Sequence, residues 1–179
     1  MLVAFDFDGT LSSDEMTTFL AEQCGVTERM DEITQRAMRG EIEYAESLRE
    51  RCGLLEGLDD DRAQAAFEQV HLRDGAADVI ETLQAAGVTV AIFTGGFERG
   101  VAAALEHDDV TVDTIVSNRL PVADGQLTGE VEGPLIEGTK DDALEGFAAE
   151  RGVSMDRTVA VGDGANDLPM LEGAGLAIG

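Results

Sequence analysis

The sequence predicts an α/β protein with a doubly wound parallel sheet and a small inserted helical lobe. Short apolar runs of strand length alternate with helical patterns from about residue 76 onward, whereas the stretch between the first two runs has helical spacing only. A chain of 179 residues can bury one core and carry a modest second lobe, but two full domains would be crowded. In sheets of this class, ligands bind at the carboxyl ends of the strands.

The first predicted strand is the run LVAFDF at the N-terminus, which is apolar until it ends in acids, as is typical of a buried parallel strand. From about Asp14 to His71 the spacing is that of helices, as in the pair Ile33 and Ala37. We therefore assign residues 1–13 and 72–179 to the α/β core and residues 14–71 to a helical cap insertion.

Helices and strands alternate after the cap. A helix is predicted over Ala76 to Ala86 with Val79, Ile80 and Leu83 facing inward, and VTVAIF follows as the second strand. The later predicted elements are a helix from about Glu98 to Glu106, the strand TIVSN, a hairpin turning at Asp124 and Gly125, a helix from Lys140 to Arg151, and the strands TVAVG and GLAIG.

The composition is strongly acidic, with 37 Asp and Glu against 12 Lys and Arg and a formal net charge of -25. The negative electrostatic potential of such a surface repels nucleic acid and anionic membranes, so neither is an expected partner. Because salt screens self-repulsion, we interpret the surface as that of a halophilic protein. Two cysteines are too few for a disulfide framework, no apolar run approaches a membrane span, and a strand starting at Leu2 leaves no room for a leader, so a cytoplasmic location is expected.

Acidic and hydroxyl side chains follow three of the predicted strands and should therefore share one rim of the sheet. Two carboxylates two positions apart at a strand end, with a third from another strand, can hold Mg²⁺ together with a substrate phosphate. Taken singly, each cluster is more simply a capped turn or a tight connection, but their joint placement favours a site. The clusters are Asp6 and Asp8, then Thr94, Gly95 and Gly96, then Asp163, Asn166 and Asp167.

Two further features concern the binding of an anion. Thr94 and the glycine amides after it open toward a helix predicted to begin near Phe97, which favours a phosphoryl site. Lys140, the only lysine in the chain, is predicted at the first position of its helix with Thr139 as the N-cap, where a cation opposes the helix dipole. A solvated surface lysine is the simpler interpretation. A compact ammonium aimed at a phosphoryl oxygen, however, would explain why the chain keeps its only lysine at this position.

Four segments together resemble the four motifs of the haloacid dehalogenase superfamily of phosphatases: DFDGTL at 6–11, TGG at 94–96, Lys140, and GDGANDLPM at 162–170. The stretches AMRGEIEYAESLRER and SNRLPVADGQLTGEVEG resemble its phosphoserine phosphatase branch, so the resemblance spans essentially the whole chain. It implies a Rossmann-like core with a cap, and Mg²⁺-dependent hydrolysis of a small-molecule phosphate ester. For this branch the implied reaction is the conversion of L-phosphoserine to L-serine in serine biosynthesis.

The resemblance also implies a role for each motif residue. Asp6 would be the nucleophile that forms an aspartyl-phosphate, and Asp8 would act as acid and then as base. Mg²⁺ would be bound by Asp6, the backbone carbonyl of Asp8 and Asp163, with Asp167 orienting these ligands. The implied phosphoryl-binding groups are Thr94, the Gly95 amide, Lys140 and Asn166.

In the cap, the resemblance implies that Glu15 binds the amino group of phosphoserine and that Arg51 binds its carboxylate. Met38 and Tyr44 would line the same pocket. From the residues alone, surface charge is the simpler interpretation of Glu15 and Arg51, and core packing is the simpler interpretation of Met38 and Tyr44.

The chain departs from the usual pattern of the branch at three positions. Gly9 and Thr94 stand where serine is common, and Tyr44 stands where phenylalanine is usual. Relatives also continue beyond Gly179 with another strand and helix. Either the chain is a shortened form or its sheet has an exposed edge, which would favour a homodimer.

Two alternatives stay open at this point. One is a phosphatase of the same superfamily that acts on another small phosphomonoester. The other is a non-enzymatic receiver-like signalling module, which also combines acids, a hydroxyl residue and a lysine on an α/β sheet. The order of motifs disfavours the receiver, because its acidic pair would precede the phosphorylated aspartate and no helical lobe would follow the first strand.

The acidic surface leads to a prediction about salt. We expect the midpoint of thermal unfolding to rise by several degrees between dilute buffer and molar KCl, because the salt screens repulsion among the excess carboxylates. Circular dichroism melts over a KCl series measure this, and equal stability at both ends of the series would contradict a halophilic design.

Overall fold

The computed structural model describes residues 1–179, and its elements follow the predicted order. Two short 3₁₀ turns, Met155–Arg157 and Ala165–Asp167, complete the regular structure. The strands are β1 Leu2–Phe5, β2 Thr89–Phe97, β3 Thr114–Asn118, β4 Val122–Ala123, β5 Gln126–Leu127, β6 Thr158–Val161 and β7 Leu176–Ile178. The helices are α1 Met16–Cys24, α2 Thr27–Met38, α3 Tyr44–Gly53, α4 Asp60–Phe67, α5 Ala76–Ala85, α6 Glu98–His107, α7 Lys140–Glu150 and α8 Leu168–Gly173.

Five strands form one parallel sheet in the order β3-β2-β1-β6-β7, which confirms the predicted class. The register aligns Phe5 at the end of β1 with Ile92 of β2 and Val161 of β6. The residues that follow these three positions therefore meet at one edge of the sheet. This alignment is what brings separate acidic and hydroxyl clusters together.

The two faces of the sheet bury different sets of side chains, as the alternation of a strand requires. On β1, Val3 and Phe5 belong to the larger core cluster, which also contains Ile80 of α5 and Val101 of α6. Leu2 and Ala4 face the other way, into a smaller cluster with residues of α7 and α8. Helices thus cover both faces, as a doubly wound sheet requires.

Helices α1 to α4 follow β1 before any other strand and form the predicted helical lobe. The lobe shares the larger core cluster, since Leu20 of α1 and Leu48 of α3 belong to the same set of buried residues as Phe5. Phe67 at the end of α4 packs edge-on against Phe97 of β2, with ring centroids 6.3 Å apart. The lobe is therefore packed onto the sheet rather than tethered by its two connections alone.

Backbone hydrogen bonds also attach the lobe to the β4-β5 hairpin. Leu127 exchanges bonds with both sides of the α3-α4 connection: its carbonyl accepts from the Gly57 amide at 2.9 Å, and its amide donates to Leu58 at 2.8 Å. The Asp60 amide at the start of α4 donates to Gly125 at 2.9 Å. The hairpin predicted at Asp124 and Gly125 is present and therefore has a structural role.

The two connections between lobe and core lie side by side. The Arg73 amide donates to the carbonyl of Leu11 at 2.7 Å, and its guanidinium donates to the carbonyl of Gly9 at 2.6 Å. One residue on the returning connection thus holds the loop that follows Asp8.

Two details differ from the sequence-based expectations. Val79 was expected to face inward but is 47% exposed, because the sheet-facing side of α5 is centred on Ile80 instead. Thr94 to Gly96 was expected to be a connection to a helix near Phe97, but β2 continues through these residues with a register shift between Phe93 and Phe97, and α6 begins at Glu98.

None of the helices combines the length and apolar character that crossing a bilayer requires.

Candidate active site

The site is built around Asp6, the first residue after β1. Its amide donates to the carbonyl of Val161 on β6 at 2.8 Å, which extends the strand pairing by one residue and fixes the carboxylate at the shared edge. The residue is only 5% exposed. Burial raises the pKa of Asp6 to about 6, against the opposing charge of Lys140 and with Asp167 adding to the rise.

Lys140 is buried at the start of α7, where its ammonium contacts two carboxylates. Nζ donates to Oδ1 of Asp6 and to Oδ1 of Asp167, and the lysine is 4% exposed. A charge this deep requires partners, and the two aspartates supply them. The single lysine is therefore not a solvated surface residue. Thr139 lies at the predicted N-cap position, but its hydroxyl donates to the Asp142 carboxylate at 3.1 Å rather than capping a backbone amide.

A cluster of three carboxylates lies beside this ammonium. One oxygen each from Asp6, Asp163 and Asp167 lie within 4.8 Å of one another. Asp167 is fully buried and accepts from the Gly164 amide at 2.8 Å, while Asp163 is exposed. Hard oxygen donors at this spacing suit Mg²⁺ better than a soft transition metal.

Gly9 makes room for this cluster. Its φ is +85°, and a Cβ at this position would lie 2.6 Å from Oδ2 of Asp163. The neighbouring Thr10 hydroxyl donates to Oδ1 of Asp163 at 3.1 Å. The glycine thus allows the loop after β1 to approach the exposed carboxylate.

The Asp8 side chain forms its hydrogen bond with the start of α1 rather than with a member of the carboxylate cluster. Its Oδ1 accepts from the Met16 amide at 3.3 Å, and a Cβ on Gly96 would lie 2.7 Å from its Oδ2. Burial raises the pKa of Asp8 to about 8, and the negative charge of Glu15 adds to the rise. Asp6 is thus mainly ionised and Asp8 mainly protonated near pH 7, and such a division between two acids suits separate roles as nucleophile and proton donor.

Thr94 and Gly95 of β2 form a second wall of the site, which we call the Gly95 wall. Thr94 is 1% exposed, and its Oγ1 accepts from the Gly96 amide at 3.0 Å, which shapes this part of β2. Asn166 is exposed in the 3₁₀ turn Ala165–Asp167 that follows β6, and it also lines the cavity. The predicted phosphoryl-binding groups thus lie around one cavity, with Lys140 buried behind Asp6.

Residues of the cap and of the sheet edge together line a cavity of about 590 Å³ that is open to solvent on the side of Met38. All four residues expected to bind substrate line it, but they differ in exposure: Met38 is 83% exposed and Glu15 is exposed, whereas Tyr44 and Arg51 are half-buried. Core packing is therefore the wrong interpretation of Met38. Tyr44 both lines the cavity and packs against the larger core cluster.

Sequence reasoning missed Asn118, the last residue of β3. It is 1% exposed, and its amide nitrogen donates to the Gly95 carbonyl at 3.1 Å while Oδ1 accepts from the Leu135 amide at 3.1 Å. Leu135 lies five residues before Lys140, so one buried amide connects the Gly95 wall to the loop that leads into α7. Asn118 is the second residue of the stretch SNRLPVADGQLTGEVEG, whose pattern indicates a resemblance but not which main-chain groups this side chain would contact.

Comparison with known proteins finds hydrolases that are similar to this chain over nearly its whole length. The model of the haloacid dehalogenase-like hydrolase family matches residues 3–172. A phosphoserine phosphatase from Halobacterium salinarum is 55% identical over 99% of this chain and 84% of its own, and one from Lactococcus lactis is 40% identical over 99% and 82%. The source of the first relative agrees with the halophilic character expected from the composition.

Two solved structures show the same architecture. A phospho-aspartyl intermediate analogue of phosphoserine phosphatase superposes with a TM-score of 0.89 at 39% identity, covering 98% of this chain and 84% of that one. A substrate-bound phosphoserine phosphatase complex superposes with a TM-score of 0.90 at 38% identity, covering 98% and 83%.

The double contact of Asn118 leads to a prediction about anion binding. We expect Asn118→Ala to weaken the binding of inorganic phosphate about tenfold or more, because Gly95 and the loop before Lys140 lose their common partner and two buried backbone groups are left unpaired. Titration calorimetry measures the affinity, and thermal unfolding reports whether the fold persists. Gln126→Ala, which removes an exposed side-chain amide on the hairpin, is the matched control and should leave the affinity unchanged. Unaltered phosphate affinity in the Asn118 variant would contradict the role.

Proposed function

The chain belongs to the haloacid dehalogenase-like hydrolase family, and from that premise we propose that it is a Mg²⁺-dependent phosphatase that converts L-phosphoserine to L-serine through an aspartyl-phosphate on Asp6. The observation that carries the proposal is the buried contact of Lys140 with Asp6, beside the three-carboxylate cluster. Clustered acids bind a phosphoryl group only when cations accompany them, and this arrangement supplies one cation and donors for a second.

In the proposed first step, a carboxylate oxygen of Asp6 attacks phosphorus and the bond from phosphorus to the ester oxygen breaks. Asp8 gives its proton to the departing alkoxide, which leaves as the serine hydroxyl. Asp8 then takes a proton from the attacking water as the oxygen of that water bonds to phosphorus, and the bond from Asp6 to phosphorus breaks to release inorganic phosphate. The pKa values of about 6 for Asp6 and about 8 for Asp8 support this division of roles at neutral pH.

The residues present fit a magnesium ion. Asp6, the backbone carbonyl of Asp8 and Asp163 would hold it, with Asp167 orienting the set through its own contacts to Lys140 and Gly164. When bound, the ion supplies positive charge for the oxygens of the transferring phosphoryl group. The Thr94 hydroxyl, the Gly95 amide, Lys140 and Asn166 would bind the same oxygens.

Specificity for phosphoserine is assigned to the cap. Arg51 would pair with the substrate carboxylate and Glu15 with its amino group, while Met38 and Tyr44 would line the same pocket. This assignment is supported by the position of all four along the cavity and by the phosphoserine phosphatases to which the chain is similar. We propose residues 14–71 as the cap and residues 1–13 and 72–179 as the core.

The proposed setting is serine biosynthesis in the cytoplasm. A phosphatase for another small phosphomonoester is the alternative that a substrate panel decides. The receiver-like alternative lacks support, because the hydrolase family model matches nearly the whole chain.

The chemistry is tested with the intact protein in molar KCl. We expect the release of inorganic phosphate from phosphoserine to require Mg²⁺, to stop with a chelator and to return when Mg²⁺ is added in excess. Asp6→Asn should abolish the hydrolysis of both phosphoserine and p-nitrophenyl phosphate, because the amide is not a nucleophile. Asp108→Asn, at an exposed position after α6, is the control and should retain full activity. Turnover without Mg²⁺, or by the Asp6 variant, would refute the mechanism.

The substrate assignment has its own test. We expect Arg51→Ala to lower kcat/KM for phosphoserine about 10- to 100-fold, the range of a lost charge-assisted hydrogen bond, while kcat/KM for p-nitrophenyl phosphate stays within about threefold. Arg49→Ala is the control, since Arg49 lies two positions away on α3 and pairs with the exposed Glu137. Unchanged selectivity in the Arg51 variant would remove the phosphoserine assignment and leave the phosphatase chemistry intact.

A further inference from the structure

The hydroxyl of Tyr44 lies against the backbone of the Gly95 wall. A Cβ on Gly95 would lie 1.9 Å from Oη of Tyr44 and 3.1 Å from its Cζ, so only glycine leaves room for this hydroxyl. Tyr44 is the first residue of α3 and therefore belongs to the cap, whereas Gly95 belongs to the sheet. The phenolic oxygen is thus the point at which the cap touches the wall that would bind the phosphoryl group.

This hydroxyl forms no hydrogen bond with another protein group, and because it is not a fully buried unpaired atom it is accessible from the cavity. The ring packs against the core cluster, and the residue lines the cavity that contains Asp6, Asp8 and Thr94. A half-buried tyrosine hydroxyl normally finds a partner. The nearby acids already have partners of their own, Lys140 for Asp6 and the Met16 amide for Asp8.

The charge around the hydroxyl favours donation to an anionic ligand. Burial raises the pKa of Tyr44 to about 12, with Arg51 opposing the rise and Asp6 and Asp8 adding to it. The group therefore keeps its proton in the neutral range. The hydroxyl is therefore a protonated donor beside the Gly95 wall that has no acceptor within the protein.

We propose that the Tyr44 hydroxyl donates a hydrogen bond to a non-bridging oxygen of the phosphoryl group bound between Asp6 and Gly95. This role rests on the proposed function in one respect, which is that the site must bind a phosphoryl group. It does not depend on which alcohol forms the phosphate ester. It makes the cap a part of the phosphoryl site itself. A phenylalanine at this position would fill the same space without supplying the donor.

The experiment is Tyr44→Phe, which removes the hydroxyl and keeps the ring that packs in the core. Binding of inorganic phosphate in the presence of Mg²⁺ is measured by calorimetry, and kcat/KM is measured for phosphoserine and p-nitrophenyl phosphate. We expect the Kd of phosphate to rise about tenfold, as for a lost hydrogen bond to a charged group, and kcat/KM to fall by a similar factor for both esters. Unchanged phosphate affinity would overturn the proposal. A loss confined to phosphoserine would also overturn it, by placing the hydroxyl at the amino-acid end.

A second pair of variants tests the contact independently of ligands. Gly95→Ala forces the new methyl group onto Oη of Tyr44, so thermal stability should fall, and Tyr44→Phe should restore a large part of that loss in the double variant. Strictly additive losses would mean that the hydroxyl does not lie against Gly95 and would overturn the proposal. Because phosphate affinity and stability are measured without any ester, these results stand even if the wild-type protein fails to hydrolyse phosphoserine, which would refute the proposed function alone.

Discussion

The structure of the site depends on one buried ammonium held between two carboxylates. Removing Lys140 would leave Asp6 and Asp167 facing each other inside the protein, and loss of one member of such a set costs about 3–5 kcal/mol. The parallel register of β1 and β6 places the acids at one edge, and the first turn of α7 delivers the cation to them. The helix dipole disfavours a cation there, so the carboxylates offset both the dipole and the loss of hydration.

Around the Lys140 ammonium and its two carboxylates, the backbone of the site is positioned by two residues that do not take part in the proposed chemistry. Asn118 of β3 connects the Gly95 carbonyl to the loop before α7, and Arg73 holds the loop after Asp8 through the Gly9 carbonyl. Both side chains hold backbone groups rather than other side chains. The reacting groups are thereby positioned by polar contacts to the main chain, which keep them in place while the cap packs above them.

Much of this arrangement could be predicted from the sequence. Strands of a parallel sheet end at a common edge, so acids that follow Phe5 and Val161 had to converge, and a lone lysine near them was a sensible partner. Val79 could not be placed correctly, because the spacing of α5 defines an apolar stripe but not its exact centre. Asn118 could not be found, because its partners are the main-chain groups of residues 95 and 135, and backbone partners leave no trace in the order of side chains. The exposure of Met38 likewise depends on how far the cap extends over the cavity.

In addition to the apolar packing between them, polar contacts of two physical kinds attach the cap to the core. Main-chain hydrogen bonds join it to the hairpin at Leu127 and Gly125, whereas the exposed ion pair of Arg49 and Glu137 joins α3 to the loop before α7. Dissolved salt screens the exposed ion pair and weakens it, but has little effect on the main-chain hydrogen bonds. Salt in the surrounding solution therefore weakens the contact of α3 with the loop before α7, while the hydrogen bonds between the cap and the hairpin persist.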